Sequence, residues 1–272
     1  MATSPLNPYA APSARLRDHE PEAGRFVPNG ITVSAAQGWR WIHAGFILFK
    51  QQPGTAVLMG IVFLAVHLAI AALQAALGAV HPVLSLIAGL ASIGITPLLI
   101  GGWMLGCHEL DEGGEIRVGH LFVAIESHLK PLLALAGWIL LASFGIALVM
   151  LAIVAVVGFA TFTSIAGGSA RGAGVGIAII LVVLVILVIT MLIYSLVWFA
   201  PALIVLHDHR ALDAMKTSAQ ACLKNVVPFL VYGLCTIGLG IVASIPLLLG
   251  WLVLGPILIA SIYAGYRDIF YR

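Results

Sequence analysis

Histidines flank Asp208 in the triplet His207–Asp208–His209. Two imidazoles and a carboxylate are a donor set that a transition metal accepts. Neighbours at a helix end point their side chains apart, however, so the triplet reads more simply as a polar cap at a membrane interface. A looser set, Cys107, His108, Glu109, His120 and His128, shares one polar stretch, but its spacing matches no zinc motif. Metal binding by His207, His209, Cys107 and His108 is therefore left open, and no cofactor is expected. Glu109, Asp111, Glu112 and Glu115 straddle Gly113–Gly114 without the spacing of a calcium loop. That patch serves to keep its loop in water. Phosphate-loop, GxSxG, HExxH and Rossmann glycine patterns are absent. With no nucleophile–base pair and no metal set, an enzyme is the least favoured class. No catalytic or cofactor-binding residue is assigned.

His67 is a different case. It sits inside an apolar run, and a titratable group there is a functional candidate by default. Gln74 lies two helical turns further on and could share a polar seam with it. A neutral His can also simply bond across a helix pair. Proton-driven transport usually needs an intramembrane carboxylate or arginine, and none is present.

The elements that must hold these groups are set by the composition. Of 272 residues, 61% are hydrophobic and 9% charged, and the mean hydropathy is +1.11. Soluble domains carry about 25% charged residues, so lipid must cover much of this exterior. A net charge of +2 gives no reason to expect nucleic acid. Cys107, Cys222 and Cys235 are scattered and form no disulfide framework. The start of the chain has no apolar stretch of the signal-peptide kind, so the first span is expected to direct insertion.

Gly172 to His207 carries no Lys, Arg, Asp or Glu. A charge-free run beyond about 18 residues signals a membrane span. Six spans are predicted, over about 55–77, 83–105, 131–159, within 177–206, 226–249 and 251–266. Pro97 predicts a kink in the second, and tilt or a break near Pro201 is expected in the fourth. Residues 1–31 read as a disordered cytoplasmic tail ahead of a membrane domain over 32–272. Residues 161–176 read as a small-residue loop.

Between the spans lie three polar segments with helical periodicity. Their apolar stripes are Trp39, Ile42, Phe46 and Phe49; Val118, Phe122, Ile125 and Leu129; and Leu212, Met215, Ala219 and Cys222. Each predicts an amphipathic helix at the interface. Each ends in a Lys and a nearby Pro (Lys50 and Pro53, Lys130 and Pro131, Lys224 and Pro228), and two spans follow. A proline also falls late in each second span, at Pro97, Pro201 and Pro256. The order suggests a threefold internal repeat with units of about 33–106, 107–206 and 207–272. Any six-span protein can place Lys at interfaces and Pro in spans, and the units match weakly residue by residue.

Orientation follows from charge. With six spans, 12 of the 13 Lys and Arg and all 11 acidic residues fall on the side of the termini. The other side has only Arg171. The positive-inside rule then puts both termini in the cytoplasm. Trp39, Lys50, Lys130, Lys224 and Arg267 are the expected interfacial anchors. The closing Tyr263, Tyr266, Arg267, Phe270 and Tyr271 read as an aromatic and basic belt.

Residues 35–54 (AAQGWRWIHAGFILFKQQPG), 106–122 (GCHELDEGGEIRVGHLF), 214–233 (AMKTSAQACLKNVVPFLVYG) and 256–270 (PILIASIYAGYRDIF) carry a resemblance. They look like a betaproteobacterial family of multi-pass inner-membrane proteins without an assigned function. The likeness runs over roughly 33–272; after Pro53–Gly54 the family more often has a large aromatic residue than Thr55. It implies an inner-membrane location and an all-α polytopic bundle, six spans plus three cytoplasmic interfacial helices. It supplies no substrate and no site residues. The leading expectation is a structural or regulatory membrane component, with the lipid bilayer and other membrane proteins or itself as partners. The alternative is a transporter or channel for small molecules or lipids, which would need a water path past His67 and Gln74.

Overall fold

The computed structural model describes residues 24–166 and 172–272. Among them the chain is helical, with one isolated antiparallel bridge between Phe26 and Tyr271. The helices are α1 (Gln37–Gln51), α2 (Pro53–Val80), α3 (Pro82–Asp111), α4 (His120–Ser127) and α5 (Leu129–Ala166). They continue as α6 (Gly172–Val197), α7 (Ala200–His207), α8 (Ala211–Lys224), α9 (Val226–Ser244) and α10 (Trp251–Phe270). Among the described residues six stretches are long and apolar enough to cross a membrane: α2, α3, α5, α6 with α7, α9 and α10.

Three short helices enter their spans through a single residue. Gln52 separates α1 from α2, His128 separates α4 from α5, and Asn225 separates α8 from α9. His128 (φ −130°, ψ 27°) and Asn225 (φ −120°, ψ 33°) share almost the same backbone. Proline follows within the first turn each time, where its missing N–H costs no helical bond. Each short helix then packs on a span from elsewhere in the chain: α1 on α10, α4 on α3, and α8 on α6 and α7.

Small residues make these contacts. A Cβ at Gly45 of α1 would lie 2.6 Å from the Ile257 carbonyl oxygen of α10. At Gly102 of α3 a Cβ would meet the backbone of His120 and Leu121. Close backbone approach of this kind is how helices associate where hydrophobicity gives no preference for protein over lipid.

Several expectations shift. The second span does not stop near Leu105 but runs to Asp111, and Cys107 is buried within it. The fifth span, α9, ends at Ser244, and a turn over 245–250 holds Leu247 and Leu248 at φ 51° and 67°. The expected break near Pro201 is present as a bend at Trp198–Phe199. The bend leaves the Phe199 N–H and the Ser195 carbonyl without helical partners. Ser218 of α8 satisfies both, accepting from Phe199 N at 3.0 Å and donating to Ser195 O at 2.7 Å.

The predicted tail is also shorter than 1–31. Residues 24–31 are fastened: Val27 N–H donates to Phe270 O, and Ile31 N–H to Ile269 O. Gly30 takes φ 60° in the turn, with Ile269 and Ala221 too close for a side chain. Buried Asn225 accepts from Val33 N–H and donates to the Ile31 carbonyl. The remainder of the tail, 1–23, lies outside the described residues. Of the predicted 161–176 loop, 161–166 continue α5, 172–176 begin α6, and 167–171 lie outside the described residues.

Candidate functional site

The polar groups gather where α3, α7 and α10 end together. Asp111, at the last turn of α3, pairs with Arg267 of α10 and accepts from the Tyr263 hydroxyl at 3.1 Å. His108 Nδ1 lies 3.1 Å from the same hydroxyl. With that O–H directed at Asp111, the histidine nitrogen is the donor. His108 Nε2 is 3.4 Å from Glu112. One turn along α10, the Tyr266 hydroxyl is 2.5 Å from His207 Nε2, and the Tyr271 hydroxyl is 3.2 Å from that nitrogen. Phe26 lies over the His207 ring at a centroid distance of 3.8 Å. The first described residues therefore cover this second cluster.

Here the structure parts from the sequence reading of the C-terminal belt. Tyr263, Tyr266 and Phe270 are buried, and Arg267 pairs with Asp111. The other anchors differ among themselves. Trp39 is half exposed, the Lys50 ammonium lies over the Phe46 ring, Lys130 is exposed, and Lys224 donates to the Asn29 carbonyl.

The metal candidates do not assemble into one set. His207 and His209 have ring centroids 6.1 Å apart. Asp208 takes a left-handed backbone (φ 54°) that ends α7, and its carboxylate meets His128 at 3.0 Å instead. His209 Nδ1 is buried without a hydrogen-bond partner among the described residues. Among those residues no three His, Cys, Asp or Glu side chains come together as a metal-holding group. A cavity of about 450 Å³ lies beside the Asp111–Arg267 pair, bounded by Leu48, Tyr263, Asp268, Tyr271 and Arg272. Asp268 accepts from the Trp41 indole N–H at 2.8 Å and from Gln37 at 3.1 Å, which ties α1 to α10.

His67, at the middle of α2, is fully engaged. Its Nδ1 donates to Phe63 O at 2.9 Å, and its Nε2 meets the Thr96 hydroxyl of α3 at 3.0 Å. Gln74 lies over Gly89 of α3. The two polar groups share a seam between α2 and α3. Neither is part of the 450 Å³ cavity, nor of a second cavity of about 830 Å³ between α6, α8 and α9.

The sequence reading gave no functional role to Asp111 as an ion-pair partner, to Asp268, or to Ser218 and Asn225. The last two fall within the 214–233 stretch that carries the family resemblance. Polar residues in otherwise apolar stripes were the available signal, since a buried polar group must find a partner. Cys222, one turn past Ser218, is an inert contrast: burial pushes its thiol up to about 12.

No curated protein and no solved structure matches this chain. Residues 42–264 match a family described as a domain of unknown function, DUF7847. That match spans most of the chain, which therefore belongs to the DUF7847 family.

Proposed function

We propose that this protein is a structural or regulatory component of the bacterial inner membrane, built as three similar units in a cycle. Each unit is a cytoplasmic interfacial helix followed by two spans, with both termini in the cytoplasm. The observation that carries this reading is the docking order. The short helix of each unit rests on the second span of the unit before it, and α1 closes the cycle on α10. The two nearly identical one-residue junctions support the repeat, and so do the partly exposed Trp39, Phe46, Phe122 and Leu212 on the outer faces of the short helices. Such faces suit the headgroup boundary. The polar groups at the same end bond mainly to one another, as befits a rigid platform presented to other membrane proteins or to a second copy.

Two measurements test this. Reporter fusions after Ala79 should report the outer side and fusions after Arg272 the inner side. Thr96→Cys should stay unlabelled by a membrane-impermeant maleimide added to either face of sealed vesicles. Labelling from either face would reveal water beside His67 and favour the transporter alternative.

A further inference from the structure

The cycle is uneven. In two places the first span of a unit packs on the second span of the unit before: α2 on α10, with Gly60 against Pro256, and α5 on α3, with Gly94 near Leu133. The third place should bring α9 onto α6, but these helices stand apart, and the 830 Å³ cavity lies between them. Trp198 lines it, edge-on to Phe229 and Tyr232 at 5.7 and 5.8 Å. Among the described residues no charged one lines it.

The cavity begins at Leu223, beside the end of α8, and follows α9 from Val226 to Ile237. At 1.5 Å per residue that is a depth of about 16 Å, close to one leaflet of a roughly 30 Å hydrocarbon core. Along α6 the wall runs from Trp198 down to Val188, a similar depth. An apolar space open sideways at this depth stays dry, so hydrocarbon or protein must fill it. Lys216 and Gln220 are exposed on α8, seven and three residues before the cavity-lining Leu223 and so on the same face of that helix. Neither has a hydrogen-bond or ion-pair partner among the described residues.

From the cavity's depth, its charge-free wall and the unpaired cation on the α8 face that Leu223 shares, we infer that the α6–α9 cleft is a lipid site. It seats one acyl chain of an anionic phospholipid, whose phosphate rests at Lys216. This goes beyond the structural reading and does not require it.

The test uses the full-length protein in nanodiscs of phosphatidylglycerol and phosphatidylcholine in equal parts. A tracer of either lipid carries a photoreactive diazirine in mid-chain. Labelled peptides should concentrate in 188–198 and 226–237, with phosphatidylglycerol favoured about fivefold, the value of one surface cation near an anionic headgroup. Lys216→Glu should abolish the preference and keep the labelling. Gly233→Leu places a side chain into open space in the cleft and should remove the concentration while the protein stays monodisperse. Labelling spread evenly over α5 and α9 would overturn the assignment, as would a Gly233→Leu pattern like that of the parent chain. So would efficient disulfide dimer formation by Thr236→Cys, which would give the cleft to a second copy. If Thr96→Cys labels while the cleft pattern holds, the structural reading fails and the lipid site stands.

Discussion

α5 and α10 are both apolar helices of membrane-crossing length, but their surroundings treat them differently. In the most apolar window of α10, 44% of the residues are buried in the protein; in that of α5 none are. Mean hydropathy runs the other way, 1.3 for α10 and 2.9 for α5. The more apolar helix is the one left to lipid. Apolarity drives insertion, whereas contact between inserted helices depends on small residues and paired polar groups. α10 has both: Gly265 against Trp41, Ser261 bonded to Tyr232 at 2.8 Å, and the Asp268 staple to α1. Phe144, Leu151 and Phe159 of α5 face outward.

The sharpest way to break this contrast is a matched pair of substitutions. Gly45→Leu drives a side chain into the α10 backbone and should cost more than about 4 kcal/mol, enough to leave little folded protein. Gly145→Leu in α5 meets nothing within 4 Å and should lie between neutral and about 1 kcal/mol stabilising. Thermal aggregation followed by size-exclusion chromatography separates the two, and equal losses would refute the distinction.

The thiol of Cys222 reports the packed region chemically. It stays protonated until pH approaches about 12, and only thiolate reacts. Alkylation at pH 8 should therefore run about a thousandfold slower than for a free thiol and rise tenfold per pH unit. Rates like those of a model thiol would mean that the α8 contact opens readily.

Asn225→Ala leaves the Val33 N–H and the Ile31 carbonyl without their partner, a loss of about 3 kcal/mol. Limited proteolysis should then cut within 24–36 first, while the span hairpins remain intact. The smallest effect belongs to the 245–250 turn. Leu247→Gly relieves a left-handed backbone and should stabilise by about 1 kcal/mol in the same thermal assay.

The six spans were legible from length and charge alone, because insertion is a property of local composition. The faces of the short helices were legible only in part. In α1 the expected interfacial stripe divides: Trp39 and Phe46 are partly exposed, whereas Ile42 and Phe49 are buried with Trp41, Gly45 and Leu48. In α4 the buried pair is Leu121 and Ala124, and Phe122 faces out. In α8 Ala211, Ala214 and Ser218 go inward and Leu212 outward. At a bilayer boundary bulk can go to lipid, and small residues go to the contact. The polar network was hidden for another reason. Tyr263 lies 152 residues from Asp111 and 155 from His108, and no local pattern encodes pairs that remote.

The docking of α1 on α10 also sets a schedule for biosynthesis. Gly45 leaves the ribosome long before Ile257 and Ser261, the residues that enclose it. At about 5–20 residues per second the first helix waits some 10–40 s for its seat to be made. During that interval Trp41 and Asp268 cannot meet, and the face of α1 that carries Gly45 has no α10 to rest on.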